Sequence, residues 1–459
     1  MRVSHATTAV FDDPNLVSCA GLAPVLALAQ RCGLHELARA RVRLRTPGGA
    51  SPEVKVPALV AGMVAGANCI EGMDLLRHGG MGRLFGGVRA PSTLGTFLRA
   101  FTFGHVRQLD AVAAGLLVNL AAHTPLLAGA EQVAFVDVDD TVRATHGYRK
   151  QGVGYGYTGV KGLNALIATV STPTAAPVIA ATRLRRGSAN SARGAPRLLA
   201  DALATARRAG ASGLVIVRAD SAFYGHSVAA AARRAGARFS VTARMTPTVQ
   251  AAIASIAESA WTPIRYPNAV WDDEEQRWVS DAEVAEVAFT AFTSRRKAEH
   301  LTARLIVRRV RRLNPTSRTG QEQGELFAAH RHHAVFTDSP LPMLEAEACH
   351  RRHAIVEQVI ADLKGGPLAH LPSGVFTANA AWLVLAAIAF NLTRAAGTLA
   401  SAFHAKATTA TLRAQLVNVP ARLARSARRP ILHLPRDWPW QAAWQQLHTV
   451  AATGPPGSA

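Results

Sequence analysis

The segment VAFVDVDDTV, residues 133–142, decides how this chain is read. Val133, Phe135, Val136 and Val138 make an apolar run of strand length and β-forming composition, and the run ends among three acids, Asp137, Asp139 and Asp140. A second segment of the same build, LVIVRADSAF at residues 214–223, carries its apolar run to Asp220. Leu163–Val170, Val178–Leu184 and Arg238–Val241 read as three further strands, with helices expected at Asn190–Arg208 and Ser227–Ala235. The resulting order, β-β-β-α-β-α-β, predicts an α/β fold: a mixed sheet flanked by helices. Ligands in open α/β sheets gather beyond strand ends, so acids on two such strands are placed to face one cavity. Carboxylates held together in an apolar sheet repel unless a cation neutralises them, and Mg²⁺ is an oxygen-seeking ion that keeps positions open for phosphate.

Outward from this core the pattern changes. Residues 1–125 carry apolar residues at helical spacing, as in GLAPVLALAQ and LDAVAAGLLVNLAAH, and predict a helical N-terminal domain. Within it, RAPSTLGTFLRAF starts a helix at Pro91 and Ser92, so a helix-turn-helix that binds DNA competes with plain helical packing. The core runs over 130–245. A β-rich insertion is expected over 246–341, with Trp271 and Trp278 flanking an acidic hairpin turn. Helices resume over 342–400 and complete the core. The last segment, 401–459, reads as a basic helical region in which PARLARSARRP is a helix.

Charge adds a partner. The 459 residues include 51 Lys+Arg against 30 Asp+Glu, a net charge of +21, and only six of the basic residues are Lys. Arg keeps its charge at any working pH and grips phosphate with paired hydrogen bonds, so a polyanion, nucleic acid first, is the expected partner. Cys19, Cys32, Cys69 and Cys349 form no CxxC pair and imply neither a zinc site nor a disulfide framework. The apolar run Ala380–Phe390 is about half the ~20 residues of a membrane span and is expected to be a core helix.

The third acid comes from HRRHAIVEQVIADLK, residues 350–364. At about 100° per residue, His350, His353, Glu357 and Lys364 share one face, and Ile355, Val356, Val359, Ile360 and Leu363 form the opposite stripe. The spacing His350-x2-His353-x3-Glu357-x6-Lys364 resembles the Tyr-x2-Arg-x3-Glu-x6-Lys signature of DDE-type transposases of bacterial insertion sequences. In that comparison VDVDDT resembles the segment of the first Asp, two residues before a Thr, and selects Asp139; VIVRADSAF resembles the second and selects Asp220. The resemblance spans residues 130–395 and implies a ribonuclease-H-like core. Asp139, Asp220 and Glu357 would then be catalytic and hold Mg²⁺, with Mn²⁺ able to substitute. The partner would be double-stranded DNA, the element's terminal inverted repeats and the target, bound by a dimer in the bacterial cytoplasm at the nucleoid. Lys364, His350, His353, Arg185, Arg186, Arg308 and Arg309 would contact DNA. Two positions depart from the signature: His350 replaces Tyr, and His353 replaces Arg, which removes a bidentate phosphate clamp. Asp137 and Asp140 compete with Asp139 for the first position.

Two rivals are readable in the same residues. Asp137-x-Asp139-x-Thr141 after an apolar strand matches the first motif of haloacid-dehalogenase-like phosphatases, with Asp137 as nucleophile. A catalytically inactive, DNA-binding transposase relic is the other. A formal GxGxxG, Gly154 to Gly159, lies between strands rather than ahead of a helix, the wrong context for dinucleotide binding.

Overall fold

A computed structural model describes residue 5 and residues 7–145, 150–156, 159–265, 270–273, 277–279, 282–311, 330–426 and 429–453. Its centre is a ten-stranded sheet. Five strands form the middle: β1 (Val133–Ala144), β2 (Lys161–Ser171), β3 (Val178–Arg186), β4 (Leu214–Ala219) and β5 (Arg238–Thr242). β1 pairs antiparallel with β2, and β2 antiparallel with β3. On its other edge β1 pairs parallel with β4, which pairs parallel with β5. Helices Ala195–Arg208 (α1) and His226–Arg234 (α2) make the crossovers, as parallel neighbours require. The fold is therefore a mixed α/β sheet flanked by helices.

The β-rich stretch extends this sheet. β6 (Ala282–Ala291), β7 (Leu301–Arg311) and β8 (His330–Thr337) form an antiparallel run, and β8 docks on the free edge of β5 through Val335–Thr242, Phe336–Val241 and Thr337–Ser240. A separate two-stranded hairpin sets Trp271 opposite Trp278. Glu274 and Glu275 of its turn lie outside the described residues.

After β8 the chain returns across the sheet as α3 (Met343–Arg351), a 3-10 turn (Arg352–Ala354) and α4 (Ile355–Lys364). HRRHAIVEQVIADLK is thus two helices with a break at Arg352–Ala354, where one continuous helix was expected. The break turns His350 and Glu357 out of a shared face: His350 is buried and Glu357 exposed. Then comes α5 (Phe376–Ala400), long and apolar enough to cross a membrane by length and composition, with 94% of its most apolar window buried inside the protein. Its buried polar groups are satisfied. Asn391 accepts from the Ile179 N–H and donates to the Ile179 carbonyl, both at 2.8 Å, where the β2–β3 register slips. The N-terminal helices Pro52–Ala65 and Phe103–His123 pack on α5. The helix Pro91–Arg99 turns Leu94, Phe97 and Leu98 inward.

One expected element differs. PARLARSARRP, read as a basic helix, is a β-hairpin: Ala421–Ser426 pairs with Arg429–His433 and with Leu16–Val17 near the start of the chain. Ala421 and Leu423 are buried with exposed Arg422 between them, a strand period masked by the helix-favouring Ala and Arg.

Candidate active site

The period of two along β1 sorts its acids. Phe135, Asp137 and Asp139 lie on one face, with Val136, Val138 and Asp140 on the other. Asp137 stands beside Arg218 in the parallel register of β1 and β4, and both are buried. Arg218 donates from Nε to Oδ1 at 2.6 Å and from Nη2 to Oδ2 at 2.7 Å, a bidentate clamp. Its Nη1 donates to the Cys349 carbonyl at 2.7 Å, and the guanidinium lies 4.2 Å from the Phe135 ring centroid. Burial works against the Arg218 charge, yet Asp137 outweighs it and the pKa rises. Asp140, on the opposite face, is equally enclosed: its Oδ2 accepts from Asn164 at 2.6 Å and from Arg185 at 2.5 Å. Arg185 also donates to the carbonyls of Asn190, Ser191 and Arg193, so it pins the loop after β3.

Asp139 is the acid left open. It is half-buried, and its Oδ1 accepts only a local hydrogen bond, from the Asp140 N–H at 2.7 Å. Continuing the β1–β4 register past Val138–Ala219 sets Asp139 level with Asp220. Asp220 sits one residue beyond β4, caps the short 3-10 turn Ser221–Phe223 and accepts the Ala222 N–H at 2.9 Å. Glu357 stands in the first turn of α4, which packs against β1. Burial foremost, then the charges of Asp220, Asp140 and Glu357, push the Asp139 carboxyl up to about 7, against the Asp140 N–H that lowers it. Burial also raises Asp220, opposed by the Ala222 N–H and by His353.

This donor set suits a divalent cation, since a half-buried carboxyl that burial and neighbouring negative charge keep from ionising is what a 2+ charge relieves. Asp139, Asp220 and Glu357 are the residues that would hold it. Among the described residues, no three His, Cys, Asp or Glu side chains are already gathered at metal-ligating distance.

The other predicted contacts divide. His350 is buried, its ring set between the Ser240 and Thr242 hydroxyls at 3.0 and 2.9 Å, and burial drives its pKa well below the usual value. It therefore faces the sheet rather than a phosphate backbone. His353 is half-buried, with Nδ1 on the His350 carbonyl at 2.7 Å, and its ring partly opposes the rise that burial imposes on the Asp137 and Asp220 carboxyls. Arg185 is committed to Asp140. Arg308 is buried and donates to Glu347 at 2.5 Å. Arg309 is gripped by Glu258 and by Glu283, the latter at 2.6 Å, and its guanidinium lies 4.3 Å from the Trp261 ring centroid. These three serve as internal ion pairs, contrary to the expectation of a DNA-facing role. Arg186 at the end of β3 is exposed, and Lys364 is half-buried at the end of α4. Sequence reasoning missed Arg218, although an Arg inside LVIVRA has to find a carboxylate once the strand is buried.

The glycines of the formal GxGxxG form a tight crossing. Gly154–Tyr155 pairs with Lys161–Gly162, and a Cβ on Gly187 would lie 2.0 Å from the Gly162 oxygen. No helix follows, as the dinucleotide motif would require.

The mixed sheet thus carries Asp139 within β1 and Asp220 just beyond its parallel neighbour β4, and the helix that bears Glu357 packs on β1. Comparison with known families is direct: the model for transposase DDE domain group 1 matches residues 3–453, so the chain belongs to this transposase family. None of the curated proteins compared with the chain matches it.

Proposed function

We propose that the protein cleaves DNA at the ends of an insertion sequence and transfers the strands to target DNA, with Asp139, Asp220 and Glu357 as its catalytic acids. One observation carries this: of the three acids on β1, only Asp139 is open, and it is coupled to Asp220 and Glu357. Family membership supports the reaction class. The three-stranded meander followed by two parallel strands supports a ribonuclease-H-like core. The same geometry disfavours the haloacid-dehalogenase-like rival, because its nucleophile would be Asp137, which is buried and clamped by Arg218.

Divalent cations, Mg²⁺ with Mn²⁺ able to substitute, would supply the Lewis-acid chemistry of phosphoryl transfer. The protein's own residues prepare for it. Arg218 and Arg185 engage the Asp137 and Asp140 carboxylates, so their oxygens are committed to guanidinium partners and Asp139 is the acid of β1 left to ligate. The Ala222 and Asp140 N–H groups orient Asp220 and Asp139. Arg186 and Lys364 are placed for backbone phosphates. Double-stranded DNA is the substrate, a dimer the working assembly, and the bacterial cytoplasm at the nucleoid its location. The experiment is Mg²⁺-dependent cleavage of a duplex carrying the inverted repeats that bracket the gene. Wild type should cut, and Asp139→Asn, Asp220→Asn and Glu357→Gln should not; a wild type that binds the duplex without cutting would identify an inactive relic.

A further inference from the structure

We infer that Arg218 is the positioning residue that joins the three acid-bearing elements into one site; this rests on the assignment of Asp139, Asp220 and Glu357 above. Its backbone belongs to β4, two residues before Asp220. Its Nε and Nη2 hold Asp137, two residues before Asp139 on β1. Its Nη1 holds the carbonyl of Cys349 near the end of α3, just ahead of the turn that launches the Glu357 helix. One guanidinium thus touches the strand of the first acid and the helical segment leading to the third, while rising from the strand of the second.

The surroundings allow it little freedom. The side chain is 2% exposed and that of Asp137 1%. The guanidinium lies over Phe135, and Phe135 packs with Ile216 and Cys349 in a small apolar cluster between the sheet and α3. Stability alone does not call for this arrangement. A buried ion pair is often matched or exceeded in stability by well-packed apolar side chains of similar volume. What an apolar pair cannot do is fix three chain segments by directional hydrogen bonds. Lys could not replace it either, since a point charge lacks the planar fork that reaches two oxygens of one carboxylate and a carbonyl beyond.

The second charge cluster beneath α3 strengthens the link. Glu347, buried on the same helix, accepts from Arg308 of β7 and from Arg351 at 2.8 Å. The helix segment ahead of Glu357 is therefore held at two points, by Arg218 from the core and by Arg308 from the β-rich extension.

The test uses the full chain without DNA, with Mn²⁺ as the probe, followed through the electron paramagnetic resonance of the free ion. Thermal unfolding and nicking of supercoiled plasmid in Mg²⁺ are measured alongside. Arg218→Lys and the double variant Asp137→Leu with Arg218→Met are compared with wild type. Both should keep a cooperative unfolding transition, and the double variant should unfold near the wild-type temperature. Both should nevertheless lose about 10–100-fold in Mn²⁺ affinity and in nicking, the range seen when a residue that orients metal ligands is removed. Return of Mn²⁺ affinity together with stability in the double variant would overturn the inference and leave Arg218 a packing element. Asp139→Asn keeps the two questions apart: if it binds Mn²⁺ as wild type does, the site assignment fails, whatever Arg218 does.

Discussion

Asp137 and Asp139 are two residues apart on one face of one strand, yet they hold opposite stations: Asp137 is clamped by Arg218, while Asp139 has no basic partner among the described residues and accepts only the Asp140 N–H. The difference comes from register. Arg218 falls level with Asp137 across the parallel β1–β4 pair, and Asp220 falls level with Asp139 one step further on.

Asp139 should make the metal-free protein sensitive to pH. Its carboxyl is raised from 3.8 to about 7, so between those values the folded chain binds more protons than the unfolded one. Stability from this group is therefore present at low pH and lost as pH rises through that window. In EDTA at pH 8, Asp139→Asn should melt above wild type by roughly 2–4 °C. Added Mg²⁺ should raise wild type and leave the variant unmoved. Equal melting of the two proteins in EDTA across pH 5–8 would contradict the coupling.

Arg185 and Arg186 are neighbours with different expected phenotypes. Arg185→Met leaves Asp140 buried without its cation and should cost about 3–5 kcal/mol in urea unfolding. Arg186→Ala should leave stability within about 0.5 kcal/mol. It should also lower the slope of log K against log salt for duplex binding by about 1. A reversal of these two results would show that the chain's inward and outward arginines have been exchanged.

Asn391 replaces ladder hydrogen bonds where β2 and β3 slip register. Asn391→Leu leaves the Ile179 N–H and carbonyl without partners, and each such group costs about 1–3 kcal/mol. Differential scanning calorimetry should show a lower melting temperature with unchanged strand content by circular dichroism. No change in melting would mean that the bulge is satisfied otherwise.

Much of this arrangement is legible before folding. The strands that carry Asp139 and lead to Asp220 announce themselves by apolar runs with β-branched residues, and their acids by position at the run ends, although β1 continues past Asp139 to Ala144. The choice among Asp137, Asp139 and Asp140 is not legible, because it depends on which carboxylates meet Arg218 and Arg185 across the sheet. The arginine roles are illegible for the same reason: Arg185, Arg308 and Arg309 look alike in a basic chain, and only the folded sheet and the helix packed on it bring Asp140, Glu347 and Glu283 to them. The break at Arg352–Ala354 also escapes the sequence, since Arg, His and Ala fit a continuing helix and tertiary packing of His350 against Ser240 and Thr242 decides otherwise.

The most direct test of the central claim is Mg²⁺-dependent cleavage of the inverted-repeat duplex by Asp139→Asn, with DNA binding measured on the same protein. The account predicts binding equal to wild type and cleavage at background. Cleavage at the wild-type rate by Asp139→Asn would contradict it.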